Sequence, residues 1–545
     1  MKLLIFPSYN EIFPNHEEES INDIISKVSS KEILKLLSRI NRDLFFNRND
    51  TVTSEKIFYD LCSNINELDR NSIIDNYNSF KLQKRRYDPS VIIFLEITIL
   101  DLMIEVFRGI NSLEYKESDK ELLSITVLKG LLTCNSVYDR KLKYKFPSGI
   151  DPNSNFVTGI HQFGFSTPRD ITYLINISSE FFKYLSSNSK LKIYLDEFLN
   201  QMQIDDYRKY INFIASASFQ VLLQNNYRLS LNEYYKPELK HIFDSLSIDL
   251  SQSTIYELPI NYDRDYKLLR EKPILKIEDN TYCILDQNFL LDKLHIGLFF
   301  SIYYGTSLKN NKSLYDKFDN FLSDLGLDFA EKQLLYKIIP NCFRENSNAI
   351  LVAGDKFQIE YSDYYVREND SLFLFEFKNY IINADVKNSL DFDKIYKAIV
   401  SKTYEEEVRN KKGEVVKIKS KGVKQLANTI NQINKGGFEF DLIEKSNQNK
   451  LYVYPILVYT DEFFNVEGMH EITDKYYNIE ISNITQGSHQ INRLILISLY
   501  DLIRVSYTIN KRKIPFAYLL DLYHERLKHL TILSRAKSQS LIIDA

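Results

Sequence analysis

Apolar residues in the first half of the chain recur every three or four positions, the period of a helix with one buried face. Residues 31–46 set Ile33, Leu36, Leu37, Ile40 and Leu44 on one side. The same spacing predicts helices over 91–107, 121–134, 171–185 and 205–223. Pro89, Pro147, Pro152 and Pro168 fall between these segments, where a residue without an amide hydrogen ends a helix. A long loop over 142–167, with Gly149, Gly159 and Gly164, is expected there.

The pattern changes near Pro259. Residues 273–286 read as a hairpin turning at Asp279-Asn280, followed by helices over 289–304 and 313–325, the second ended by Gly326. A further helix over 328–339 is stopped by Pro340. Helices are predicted over 392–407 and 422–434, strands over 451–460 and 494–498, and a closing helix over 514–533. Pro455 marks the first of those strands as an edge or a bulge. The order predicts an α/β fold with a mixed sheet flanked by helices, preceded by a large, mainly helical domain. The expected divisions are 1–255, 256–510, and a C-terminal helix in 511–545 packing on the core.

One stretch breaks the alternation of buried and exposed positions. Residues 361–367 are aromatic and branched, 368–371 are a polar turn cluster, and 372–378 are apolar until Glu376 and Lys378. With a side-chain period of two, Glu376 and Lys378 share a face with Leu372 and Leu374, while Phe373, Phe375 and Phe377 take the other. An acid and a base closing an otherwise apolar strand call for a reason. Asp363, on the preceding strand, is close enough across a hairpin to join them. Two carboxylates and a lysine can hold a hard divalent cation beside a water. The plainer account is an ion pair at a strand end.

Composition narrows the classes. The chain has 545 residues, 44% hydrophobic and 26% charged, with a formal net charge of -4, so any basic surface has to be local. The abundance of Asn, Ile, Lys, Tyr and Phe, without Trp, points to an AT-rich genome rather than to a function. Cys62, Cys134, Cys283 and Cys342 lack zinc or redox spacing and are expected to be free thiols in a reducing, cytoplasmic setting. The eight histidines are scattered. The apolar N-terminal run is too short for a signal peptide. The most apolar segment, 90–107, carries Glu96, Asp101 and Glu105, so a buried helix and no membrane association are expected.

A helix, an aspartate, a Glu-x-Lys on the next strand and a later helix bearing Gln425 together resemble the PD-(D/E)xK nuclease superfamily. The informative part is 328–460, within a resemblance extending at most over 265–507. It implies a restriction-endonuclease-like core in 256–510. Ser362 stands where the family's proline precedes the aspartate. By this resemblance Asp363 and Glu376 bind Mg²⁺ (Mn²⁺ can substitute) together with the Phe377 carbonyl, and Lys378 orients the attacking water. Relatives often add a glutamate from the preceding helix, here Glu331, and a glutamine, here Gln425. The plainer account of Glu331 is a capping box with Asp328; that of Gln425 is a solvent-facing side chain, beside the buried stripe of Val423, Leu426, Ile430 and Ile433.

Between the motif strands and Gln425 lies a local charge excess. Arg409, Lys411, Lys412, Lys417, Lys419, Lys421 and Lys424 stand against Glu414. A basic hairpin around Lys412-Gly413 could neutralise phosphates; a solvated loop is the plainer account. The resemblance thus implies a Mg²⁺-dependent endonuclease acting on DNA, of the build found in restriction or anti-phage defence effectors. The helical half would then bind a protein partner or a second copy of the chain. Two other classes remain open: a non-catalytic nucleic-acid-binding or interaction protein on a nuclease-like fold, and a nuclease effector gated by a small ligand.

Overall fold

The computed structural model describes residues 6–47, 50–84, 91–113, 116, 119–145, 156–161, 170–223, 228–231, 237–251, 265–343, 348–357, 362–379, 381–410, 412–435, 441, 450–466, 468–484 and 489–533. It is mixed α/β and divides into two units, one comprising 2–151 and 162–314, the other 152–161 and 315–545. The division near 314 replaces the one expected near 255. Its cause is the hairpin of β3 (Ile274–Glu278) and β4 (Thr281–Ile284). These strands pair with β2 (Ser247–Asp249) and β1 (Arg228–Ser230) in the order β1-β4-β3-β2, so they belong with the helices before them. Asn280 turns the hairpin with φ of 60°.

In the first unit the helical periodicity is realised in Ser30–Phe46, Glu96–Arg108, Lys120–Lys145, Ile171–Ser187 and Tyr207–Leu223. The helix expected from Val91 starts at Glu96, because the Ser54 hydroxyl accepts the amides of Ile93 at 3.0 Å and Phe94 at 3.2 Å and holds that stretch extended. The helix predicted over 121–134 continues to Lys145. Residues 156–161, which belong to the second unit, are helical, and 146–155 and 162–167 lie outside the described residues. The helix expected over 289–304 is two, Gln287–Asp292 and Ile296–Gly305. At the break the Leu294 carbonyl accepts the Ser178 hydroxyl at 2.8 Å. All four cysteines are buried and free, as expected from their spacing.

The second unit is built on a six-stranded sheet. β5 (Ile350–Ala353), β6 (Tyr364–Glu368) and β7 (Ser371–Lys378) pair antiparallel in sequence. β10 (Tyr452–Tyr459) lies parallel to β7 along its whole length, and β11 (Gln490–Ile491) and β12 (Ile495–Ser498) pair parallel to β10 on its far side. β10 is therefore central, not the edge that Pro455 suggested. Its far-side partners are β11 at Tyr452–Val453 and β12 at Ile456–Tyr459, so the proline's missing amide hydrogen falls in the gap between them. Phe373 stacks on Tyr454 at 5.1 Å and Phe375 on Phe516 at 6.1 Å, which buries one face of β7. The Gly422–Asn434 helix has the bounds its apolar stripe predicts, and its buried residues include Val423, Leu426, Ile430 and Ile433.

Two local expectations fail in this unit. Gly326 does not end a helix. Phe318–Asp324 passes into a π-helical stretch, Leu325–Leu335, and then into Tyr336–Asn341 with Pro340 inside it. Gly326 is small because Asn379 packs on it: a Cβ there would lie 2.8 Å from the Asn379 amide nitrogen. Residues 392–407 are a helix only over Phe392–Thr403, and β8 (Glu405–Arg409) follows, paired with β9 (Val415–Ser420). The closing helix expected over 514–533 is Phe516–Leu533, and a further helix, Leu499–Arg512, precedes it.

Candidate active site

The β6–β7 register sets the site. Tyr364 pairs with Phe375, so Asp363, one residue before β6, comes opposite Glu376. The Asp363 carboxylate accepts the Phe377 amide at 2.6 Å. Behind it, Gly354 donates its amide to the Asp363 carbonyl at 2.8 Å, and a Cβ on Gly354 would lie 2.9 Å from that carbonyl. Asp363 is thus clamped on both sides by backbone.

Glu376 is 1% exposed, and a carboxylate so buried needs a counter-charge. Lys378 supplies it at 2.6 Å. Burial alone would drive protons off the Lys378 amine. The Glu376, Asp363 and Glu331 carboxylates outweigh burial and hold its pKa above the usual lysine value. Lys378 is therefore an ammonium at neutral pH, able to donate to a water and unable to act as a base.

Glu331 sits in the π-helical stretch, a geometry that often marks functional positions. Its capping-box alternative does not hold. Asp328 lies inside a continuous helical run and pairs with Lys332 at 2.8 Å, while Glu331 accepts the Tyr336 hydroxyl at 2.7 Å. Burial, then the Asp363 charge, push the Glu331 carboxyl up to about 7, against the opposing pull of Tyr336 and Lys378. Tyr336 was not among the residues the sequence singled out; it lies five positions after Glu331, a spacing that only the wider π turn brings into contact.

The Gly422–Asn434 helix arrives over Lys378. Gly422 has φ of 26°, and a Cβ there would lie 2.8 Å from the Thr403 carbonyl and 3.5 Å from Lys378 Cε. One turn on, the Gln425 side-chain oxygen is buried and accepts no hydrogen bond from the described residues. Glu331, Asp363, Glu376 and Lys378 interact electrostatically as one group, with the helix of Gln425 above them. As placed, each acid is turned toward a protein donor. Among the described residues no three His, Cys, Asp or Glu side chains form a group that could hold a metal ion.

The basic run forms the β8–β9 hairpin, with Gly413 at φ of 82° in its turn. Much of its charge is offset by Glu405, Glu406 and Glu407, acids on β8. Arg409 pairs with Glu407, Lys421 with Glu406 at 3.0 Å, and Lys424 with Glu405. Lys412, Lys417 and Lys419 are exposed, and Lys411 lies outside the described residues. No family model, no curated protein and no solved structure matches this chain.

Proposed function

We propose that the second unit is a nuclease that hydrolyses phosphodiester bonds, with DNA as the substrate and Mg²⁺ or Mn²⁺ as cofactor. The observation that carries this reading is the grouping of Glu331, Asp363 and Glu376 around Lys378 at the end of a central strand. The donor set is chemically apt for a hard cation, since it is all carboxylate with no thiolate or imidazole. The raised pKa of Glu331 supports a shortage of positive charge that a divalent ion would relieve. Asp363, Glu376 and the Phe377 carbonyl would hold the ion, with Glu331 as the third acid. A bound ion would polarise the scissile phosphate and lower the pKa of a coordinated water. The Lys378 ammonium would orient an attacking water and stabilise charge growing on the phosphate oxygens. Attack at phosphorus forms one P–O bond as the bond to the leaving oxygen breaks, and that oxygen takes up a proton. The buried Gln425 oxygen, one helical turn from the Gly422 that abuts this lysine, would add an acceptor. A role in restriction or anti-phage defence follows from the resemblance alone.

The Lys378–Glu376 bond favours one other reading, a structural ion pair in a non-catalytic interaction protein. The deciding experiment incubates the full chain with plasmid, single-stranded DNA and RNA, with and without Mg²⁺ or Mn²⁺. It is paired with calorimetric titration of Mn²⁺ into the wild type and Asp363→Ala. Metal-dependent cleavage together with Mn²⁺ binding lost in the variant supports the nuclease. No cleavage and no Mn²⁺ binding favours the ion pair.

A further inference from the structure

A second basic surface lies on a helix that starts near the site, and it differs in kind from the β8–β9 hairpin. It is the exposed side of the Leu499–Arg512 helix. Tyr500, Arg504, Tyr507 and Lys511 recur at the spacing that aligns side chains along one face. Tyr507 is 68% exposed, and the Arg504 guanidinium lies over the Tyr500 ring at 5.4 Å. Arg504, Lys511, Arg512 and Lys513 are all exposed. The only acid in 499–513 is Asp501, which is buried and accepts the Ser498 hydroxyl at 2.6 Å, so it offsets little of this charge at the surface. Cations near a helix C-terminus also complement its dipole, but that accounts for neither Arg504 nor an exposed tyrosine between cations.

The register places the start of this helix near the catalytic group. Lys378 pairs with Tyr459, and Tyr459 pairs with Ser498. The C-terminal ends of β7, β10 and β12 are therefore level, and the helix starts two strand spacings, about 10 Å, from Lys378. The carboxyl ends of parallel strands are where open α/β sheets bind ligands. Tyr500 and Tyr507 are separated by roughly 10 Å of helical rise.

We infer that this helix face is a track for single-stranded nucleic acid, with unpaired bases stacking on Tyr507 and phosphates meeting Arg504 and Lys511. The inference deepens the nuclease reading and rests on it for the chemistry, though not for binding. A duplex offers phosphates but no open base faces, so the exposed ring selects single strands. Aromatic rings alternating with cations and no exposed acid are the elements of such a platform.

The test measures binding in EDTA, without cleavage, of a labelled ~20-nucleotide single strand and the matching duplex to the full chain. Tyr507→Ala is expected to weaken single-strand binding roughly five- to hundredfold and to leave its salt dependence intact, while Tyr507→Phe retains affinity. Arg504→Ala with Lys511→Ala is expected to flatten the log–log salt slope by about 0.7 per lost contact. Unchanged single-strand affinity in Tyr507→Ala, or an equal loss for duplex, overturns the inference. Cleavage by the wild type in Mg²⁺ separates the two claims. Cleavage with no Tyr507 effect leaves the nuclease standing and removes the track. A Tyr507-dependent single-strand affinity without cleavage supports the track and removes the nuclease.

Discussion

Lys378, at the end of β7, and Lys293, at the break between two helices of the first unit, are both withdrawn from water. Burial acts on both in the same sense. At Lys378 the carboxylates of Glu376, Asp363 and Glu331 overcome it, and the amine holds its proton more tightly than a free lysine. At Lys293, which is 6% exposed, burial wins and lowers the amine to about 8. Glu271 and Asp292 pull the other way without prevailing, and Arg270 adds to the depression. Gly297 is small because a Cβ there would lie 2.8 Å from the Asp292 carbonyl oxygen. Depth alone therefore does not mark a functional lysine. What distinguishes Lys378 is an excess of buried negative charge beyond what one ammonium can neutralise.

The largest expected effect is on catalysis. Asp363→Ala, Glu376→Ala and Lys378→Ala should each lower cleavage by at least about a hundredfold, and double variants should be little worse than singles because they share one transition state. The acid variants should also lose Mn²⁺ affinity, whereas Lys378→Ala should keep it. Full cleavage by Glu376→Ala would remove the catalytic assignment and reduce Lys378 to a structural partner.

Stability should then separate the two lysines by sign. Lys378→Met leaves Glu376 buried without its counter-charge, so denaturant unfolding should show a loss of about 3 kcal/mol. Lys293→Met relieves a buried charge. A pKa of about 8 against an ordinary 10.5 corresponds to a gain of about 3 kcal/mol at neutral pH. Loss of stability in both variants would break the comparison.

pH sharpens it. The depressed Lys293 pKa means that the folded state gives up its proton more readily, so wild-type stability is reduced below about 8 and recovers toward 10.5. The melting-temperature advantage of Lys293→Met should shrink over that window. Glu331 has the reverse sign. Its folded pKa of about 7 lies above the ordinary 4.5, so its contribution is intact below 4.5 and is lost as pH rises through 7. Glu331→Gln should therefore gain on the wild type across that interval in metal-free buffer. Saturating Mn²⁺ should shrink the gain by stabilising the ionised wild type.

The smallest effect concerns the hairpin. Neutralising Lys417 and Lys419 should flatten the salt dependence of duplex binding by about 0.9 each. Adding Lys421 should change it less, because Glu406 already holds that cation. An unchanged slope would leave the hairpin as solvated surface.

Much of the fold was legible in local pattern. The 3.6-residue period marked Ser30–Phe46 and Gly422–Asn434 closely, and the period of two marked β7 and assigned Glu376 and Lys378 to one face. Boundaries failed where a distant group decided them. Gly326 reads as a helix stop until Asn379 is seen packing on it, and Pro455 reads as an edge marker until the gap between β11 and β12 absorbs its missing donor. The basic run looked almost unopposed because its acids lie on β8, inside a segment whose period suggested a helix.

The candidate site divides in the same way. Its residue types and the Asp363–Glu376 juxtaposition follow from hairpin register, which is local and can be read from sequence. The raised pKa of Glu331, its bond to Tyr336, the arrival of Gly422 against Lys378 and the levelling of β7, β10 and β12 depend on packing between segments far apart in the chain. Side-chain periodicity reports which face of an element is buried. It carries no information about which charges meet on that face, and that was decided by the tertiary structure.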